Sequence, residues 1–262
     1  MWHRSGPRVT ETRSSARLQL VVPCYNEAGR LPEAAFLEAA RQRSDIQFLF
    51  VNDGSTDETA GMLARLCASA NGNGNLAALH LPRNGGKAAA VRSGVLAALE
   101  RRPEFVGFWD ADLATPLAAL QDFIDVLDAN PQIDIVMGAR VKLLGHHVER
   151  YRFRHYSGRL FATAASIALR LAVYDTQCGA KIFRVTPGIR EAFAVPFRSR
   201  WVFDIELLSR YIAISGRTAA SNGIYELPLA TWIDVPGSKV KAWHGVQALW
   251  DIARIWRETS GS

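Results

Sequence analysis

From Leu18 onward the chain alternates short apolar runs with longer amphipathic stretches: "LQLVVP", "RLPEAAFLEAARQ", "IQFLFV", "DETAGMLARLCASA", "LAALHL", "GKAAAVRSGVLAALE" and "FVGFW". This β-α-β-α-β-α-β rhythm predicts an α/β fold, Rossmann-like, with a mainly parallel sheet covered on both faces by helices. A helix "PLAALQDFIDVLDAN" and a strand "DIVMGAR" continue it beyond Pro116. The rhythm then breaks. A second region passes through "DTQCGAKIF", "RWVFDIELLSRYI" and "YELPLATWIDVPGSKV" to a Trp-rich terminal helix. Residues 1–17 are polar and basic and read as a disordered tail, leaving 18–257 as one domain with halves at 18–116 and 117–257.

Polar residues gather where the strands end: Tyr25-Asn26-Glu27 after the first, Asn52-Asp53-Gly54 after the second, Asp110-Ala111-Asp112 after the fourth. In an open α/β sheet that edge is where ligands bind. Two carboxylates one residue apart repel unless a cation or a shared proton lies between them. An oxygen-only pair beside a diphosphate suits Mg²⁺ or Mn²⁺, whereas Zn²⁺ would want His or Cys. Asp53 reads either as part of a strand-turn-helix cap or as an acceptor for base or ribose donors. "RNGGKAAAVRSG" lacks the spacing of a phosphate-binding P-loop, so it is either a glycine turn opening a helix or a way of placing Lys87 near donor phosphates.

Charge narrows the partners. With 31 Lys+Arg against 25 Asp+Glu the net charge is +6, which favours an anionic partner. Arg140, Lys142, His146, His147, Arg150, Arg152, Arg154, His155 and Arg159 crowd one stretch, followed by apolar "LFATAASIALRLAV". A charge run is commonly plain solvated surface, but this combination suits an interfacial element on an anionic membrane surface. "AWHGVQALWDIARIWR" carries a Trp stripe that serves a core or a membrane interface equally. The basic stretch has few interleaved aromatics and the strand ends are rich in carboxylate, which argues against nucleic acid. Cys24, Cys67 and Cys178 are scattered without paired spacing, so neither a disulfide framework nor a zinc site is suggested and a reducing cytoplasm is the expectation. No secretory leader or spanning segment is evident.

Taken in order, "VVPCYNEAGRL", "VNDGSTDET", "RNGGKAAAVRSG" and "DADLATP" resemble the nucleotide-sugar half of family 2 glycosyltransferases with the GT-A fold. "DTQCGAKIF", "RWVFDIELL" and the later "W…PGSK" resemble the polyprenyl-phosphate branch, above all the dolichyl-phosphate β-glucosyltransferases, with the mannose synthases as near relatives. The resemblance implies an inverting hexosyl transfer from a nucleotide sugar, UDP-glucose foremost, to a polyprenyl phosphate at the cytoplasmic face of a membrane. A membrane-protein partner is compatible with it. It gives Pro23, Tyr25, Glu27 and Asp53 to the nucleoside, with Lys87, Asp110 and Ala111 also on the donor side. Asp110 and Asp112 fall to the metal and diphosphate, and Arg140, with Arg152 or Arg154, to the acceptor phosphate. Ala114 stands where mannose synthases often carry Gln, which favours the glucosyl branch or a water at that position.

With a phosphate acceptor no base is required, and Asp204 of "FDIE" would position a donor hydroxyl. With a carbohydrate or protein hydroxyl acceptor, Asp204 is the candidate base. A non-catalytic nucleotide-sugar or anionic-lipid binding module is the reading from another class, and the paired Asp110 and Asp112 weigh against it.

Overall fold

Runs that are apolar on both faces are stable only between two covering layers, and the first, second and fourth strands are placed that way, with the third at the sheet edge. The computed structural model describes residues 16–70, 75–142, 144–145, 147–149, 162–199, 202–234, 251 and 254. It opens with β1 (Leu18–Cys24), α1 (Glu33–Gln42), β2 (Ile46–Asp53), α2 (Thr59–Ser69), β3 (Leu76–Leu81), α3 (Lys87–Leu99) and β4 (Phe105–Trp109), which is the predicted order. A 3-10 turn at Leu117–Ala119 then leads into α4 (Leu120–Ala129) and β5 (Ile135–Ala139). Next come β6 (His147–Glu149), α5 over residues 162–169, β7 (Ala180–Arg184) and α6 (Pro187–Ala194). The described elements close with α7 (Phe203–Ser215), α8 (Arg217–Gly223), β8 (Ile224–Pro228) and β9 (Thr231–Ile233).

Seven strands form one sheet in the order β3-β2-β1-β4-β7-β5-β8, and β6 pairs with β9 in a small parallel sheet. Every pairing in the large sheet is parallel except those of β7, which runs antiparallel to both β4 and β5. The chain winds outward from β1 to β3 and then returns through α3 to place β4 on the other side of β1. That reversal opens a crevice at the C-terminal ends of β1 and β4.

Alternation along the strands divides the core. Leu18, Leu20 and Val22 join Phe36 of α1, Leu63 and Leu66 of α2 and Phe123 of α4. Val21 and Val51 face the opposite layer with α3, α6 and α7. A Cβ on Gly94 would come within 2.5 Å of Val21 and 2.7 Å of Val51, so only glycine lets α3 lie this close to the sheet. The final carbonyls around α6 receive Arg92 and Arg210, which supply donors where the helix has none left.

α5 sends Ala165, Ala168 and Leu169 into the core and leaves Ile167 exposed, so this segment has a core-packing face. Among the described residues no helix is long and apolar enough to cross a membrane. Residues 1–15 of the expected tail, Arg152, Arg154 and nearly all of the Trp-bearing terminal segment lie outside the described residues. Arg17, at the end of that tail, is held in the fold by Glu104 and Asp128.

Candidate active site

The ends of β1 and β2 are knitted together by side chains of the following turns. The Asn26 main chain donates to Ser55 Oγ at 3.0 Å, the Thr56 main chain donates to Asn26 Oδ1 at 2.9 Å, and the Glu27 main chain donates to Thr59 Oγ1 at 2.8 Å. Glu27 is buried and takes a two-pronged grip from Arg30, with Nη2 at 2.6 Å from Oε1 and Nε at 3.0 Å from Oε2. The Glu27 hydrogen bonds raise the Arg30 pKa, and the charge of Asp112 adds to the shift. Pro23 lies within β1 opposite Val51, and Tyr25 is half-buried just beyond the strand.

Asp53 ends β2 fully buried. Its Oδ1 accepts the Gly85 N–H and its Oδ2 the Gly86 N–H, both at 2.8 Å. This carboxylate thus ties down the glycine turn that opens α3. The next residue is Lys87, whose Nζ lies 2.5 Å from Asp110 Oδ1. Burial disfavours the Lys87 ammonium, but the charges of Asp110 and Asp204 outweigh that effect and its pKa is raised. The glycine turn of "RNGGK" opens α3, as one of the two readings expects, and it sets Lys87 beside Asp110.

Asp110 leaves β4 against the start of β7. Its N–H donates to Gly179 O at 2.9 Å, and a Cβ on Gly179 would lie 1.8 Å from Asp110 Oδ2. Asp112 follows in a tight turn closed by the Leu113 N–H on Asp110 O at 3.2 Å, with Leu113 at φ 50°. Burial, and then the charge of Asp110, push the Asp112 carboxyl above the ordinary aspartate range. Lys87 pairs with Asp110 alone, so the two carboxylates remain under mutual repulsion. Among the described residues no set of three or more His, Cys, Asp or Glu could hold a metal by itself. Two hard carboxylates of this kind are a donor set that would suit a hard divalent cation.

Arg140 follows β5 and is clasped by Asp175. Its main-chain N–H and Nε reach Oδ2 at 3.0 and 2.6 Å, and Nη2 reaches Oδ1 at 2.7 Å. The guanidinium also lies 5.3 Å from the centre of the Trp232 ring. Burial works against its charge, but Asp175 overrides this and raises the pKa, with a smaller contribution from Asp110. The Asp175 turn is in turn fixed by Glu226, whose carboxylate accepts the Tyr174 and Asp175 main-chain N–H groups at 2.7 to 2.9 Å.

Asp204 begins α7, buried, with Oδ1 2.6 Å from the ammonium of Lys181. Lys181 has no exposed surface and also donates to Cys178 O at 2.6 Å. Lys87 and Lys181 both approach the Phe108 ring, at 6.0 and 5.1 Å from its centre. The structure thus brings Lys87, Asp110, Asp112, Arg140 and Asp204 to one sheet edge, with Glu27 and Arg30 beside them. Ala111 is buried between the two aspartates in sequence and offers no polar side chain. Lys181, Asp175 and Glu226 were not singled out from sequence. The signal for Lys181 is a lone charge inside apolar "AKIF".

The chain matches the model of glycosyl transferase family 2 over residues 19–188. It is 33% identical over 253 residues to the dolichyl-phosphate beta-glucosyltransferase of Mus musculus, covering 88% of this chain and 72% of that protein. The Saccharomyces cerevisiae protein of the same name is 28% identical over 240 residues, covering 85% and 69%. Among solved structures, glucosyl-3-phosphoglycerate synthase from Mycobacterium tuberculosis, in complex with Mn²⁺, UDP and glucosyl-3-phosphoglycerate, superposes with a TM-score of 0.63 at 17% identity, covering 100% of this chain and 87% of that one. S. aureus TarS with UDP gives 0.54 at 17% identity, covering 90% and 70%.

Proposed function

The chain belongs to glycosyl transferase family 2, and from that premise we propose that it transfers glucose from UDP-glucose to a dolichyl or other polyprenyl phosphate, inverting the anomeric centre. The relatives named dolichyl-phosphate beta-glucosyltransferase support glucose as the group moved and dolichyl phosphate as its acceptor, and the solved neighbours in complex with UDP support a uridine nucleotide donor. The observation that carries the phosphate acceptor is the pairing of Asp204 with the fully buried Lys181. The Asp204 carboxylate is buried with Oδ1 taken up by the Lys181 ammonium, so it is held by a partner inside the protein and not presented to an acceptor hydroxyl. A phosphate monoester needs no base. Its second pKa is about 6, so it reaches the site already nucleophilic at neutral pH.

In the reaction the bond from the anomeric carbon to the diphosphate oxygen breaks as a bond to the acceptor phosphate oxygen forms on the opposite face. No proton has to move. Negative charge grows on the diphosphate, and Lys87 at the start of α3 is placed to offset it. Asp110 and Asp112 would hold a divalent cation, Mg²⁺ or Mn²⁺, which when bound neutralises the diphosphate and orients it as a leaving group. Arg140 meets the acceptor phosphate with guanidinium donors beyond those engaged by Asp175, while Asp175 and Trp232 fix its plane. Glu27, Asp53, Tyr25 and Pro23 shape the nucleoside side, with Asp53 acting through the glycine turn. Arg152 and Arg154, in the basic stretch ahead of α5, are assigned to the lipid phosphate and an anionic membrane surface. The protein would then work as a peripheral enzyme on the cytoplasmic face, alone or beside a membrane protein.

Measuring donor affinity and transfer rate for Arg140→Ala and Asp204→Asn tests this. The proposal expects Arg140→Ala to raise the acceptor KM strongly with donor affinity nearly unchanged, and Asp204→Asn to keep the rise in rate near pH 6 that comes from the acceptor. A dead Asp204→Asn beside a healthy Arg140→Ala would sink it in favour of a hydroxyl acceptor.

A further inference from the structure

The turn from Tyr174 to Gly179 joins the two ends of the site. At one end Asp175 grips Arg140, and at the other Gly179 gives its carbonyl to the Asp110 N–H and leaves room for the Asp110 carboxylate. Glu226 fixes the turn's first amides, and Lys181 fixes the Cys178 carbonyl. Backbone pinned at so many points holds its side chains in place before any ligand arrives.

Between these anchors stand Thr176 and Gln177. Thr176 Oγ1 and Gln177 Nε2 are buried side-chain atoms with no hydrogen-bond partner among the described residues, and Thr176 as a whole is only 2% exposed. No other buried side-chain nitrogen or oxygen among the described residues lacks a partner. Buried polar groups are normally satisfied, so two adjacent exceptions on a pinned turn mark polar atoms for which the described residues supply no partner. The Gln177 amide NH₂ can only donate and the Thr176 hydroxyl can donate or accept, so a ligand that satisfies both carries acceptor oxygens.

We infer that Thr176 and Gln177 form the subsite that reads the hydroxyl groups of the donor hexose. This rests on the donor and acceptor assignment made above. The anomeric carbon must lie between the leaving diphosphate at Asp110 and Asp112 and the attacking phosphate at Arg140. This turn touches both ends, through Gly179 at Asp110 and Asp175 at Arg140, and the group lying between a diphosphate and a phosphate in such a transfer is the sugar ring. Hydroxyls are the oxygens it presents. A site that pairs buried polar atoms with particular hydroxyls also discriminates between epimers, because the wrong epimer leaves those atoms unpaired.

The test uses Thr176→Val and Gln177→Leu, each of which removes the polar atom with little change of shape. Binding of UDP and of UDP-glucose is measured by calorimetry with Mn²⁺ and without acceptor, alongside melting of the free protein. Both variants should melt at or above the wild-type temperature, since they remove unpaired buried groups. UDP-glucose affinity should fall about tenfold or more while UDP affinity stays within about twofold. Gln177→Leu should also narrow the preference for UDP-glucose over UDP-galactose. Equal losses for UDP and UDP-glucose would reassign the two atoms to the diphosphate and overturn the inference, as would UDP-glucose affinity unchanged in both variants. A wild-type protein that binds neither nucleotide would instead remove the donor assignment, and this inference with it.

Discussion

Replacing Gly179 with alanine should damage the metal and diphosphate site while leaving the fold standing. The added methyl would lie 1.8 Å from Asp110 Oδ2, 2.1 Å from its Cγ and 2.6 Å from its Oδ1. Ordinary contact needs roughly 3.5 Å, so the carboxylate must retreat by about 1.5 Å or the start of β7 must shift. Neither is free. Asp110 is fastened through its N–H to Gly179 O and through Oδ1 to Lys87, and β7 is paired on both sides by β4 and β5. Gly179 does not have a positive φ, so the penalty is steric and not a matter of backbone conformation. Overpacking of this kind costs about 1 to 3 kcal/mol of stability. If Asp110 holds the cation as proposed, moving its carboxylate by about 1 Å should cost on the order of a hundredfold in rate. Transfer rate is followed across a Mn²⁺ titration beside urea unfolding, with the metal midpoint expected to move upward. A Gly179→Ala protein within about threefold of the wild-type rate, at an unchanged metal midpoint, would refute the placement of Asp110.

Three other predictions concern charges that the fold holds in pairs. Lys181→Met should cost about 3 to 5 kcal/mol by leaving Asp204 buried without its partner, and adding Asp204→Asn should restore much of that loss in urea unfolding; a fully stable single variant contradicts the pair. Asp112→Asn should abolish transfer with either Mg²⁺ or Mn²⁺ and leave the circular dichroism spectrum intact, whereas more than about a tenth of wild-type activity would contradict its charge-based role. Hydrogen bonds from Arg17 hold the Asp128 carboxyl below the ordinary aspartate range, so its contribution to stability is present above about pH 4 and is lost as pH falls through the depressed pKa. Arg17→Ala should accordingly flatten the acid side of the stability profile, and an unchanged slope would count against the pair.

The sequence made the sheet from β1 to β4 legible because burial on both faces leaves a purely local signature, a short apolar run between turn residues. β7 gave no such notice. Its five residues, AKIFR, carry two charges, and the antiparallel insertion between β4 and β5 is decided by partners far away in the chain. The same division runs through the site. Asp110 and Asp112 stand out because two charges close an apolar strand, whereas Arg140 is marked only by the family resemblance of the sequence around it. Lys181, Asp175 and Glu226 acquire meaning only through contacts 23, 35 and 51 residues distant. Lys181 shows the limit most clearly: a lysine is ordinarily a surface residue, yet here it has no exposed surface and neutralises the carboxylate that a hydroxyl acceptor would need as a base.

The central claim is that the acceptor is a lipid phosphate and the donor a uridine-linked glucose. The most direct measurement incubates the protein with UDP-glucose, Mn²⁺ and a short polyprenyl phosphate, beside lanes in which the phosphate is replaced by the matching polyprenol and the donor by UDP-galactose, UDP-N-acetylglucosamine or GDP-mannose. Product masses are then read. The account predicts a polyprenyl-phosphate hexose from UDP-glucose and no product from the free alcohol. Glycosylated polyprenol without phosphate, or a product from GDP-mannose in preference to UDP-glucose, would contradict it.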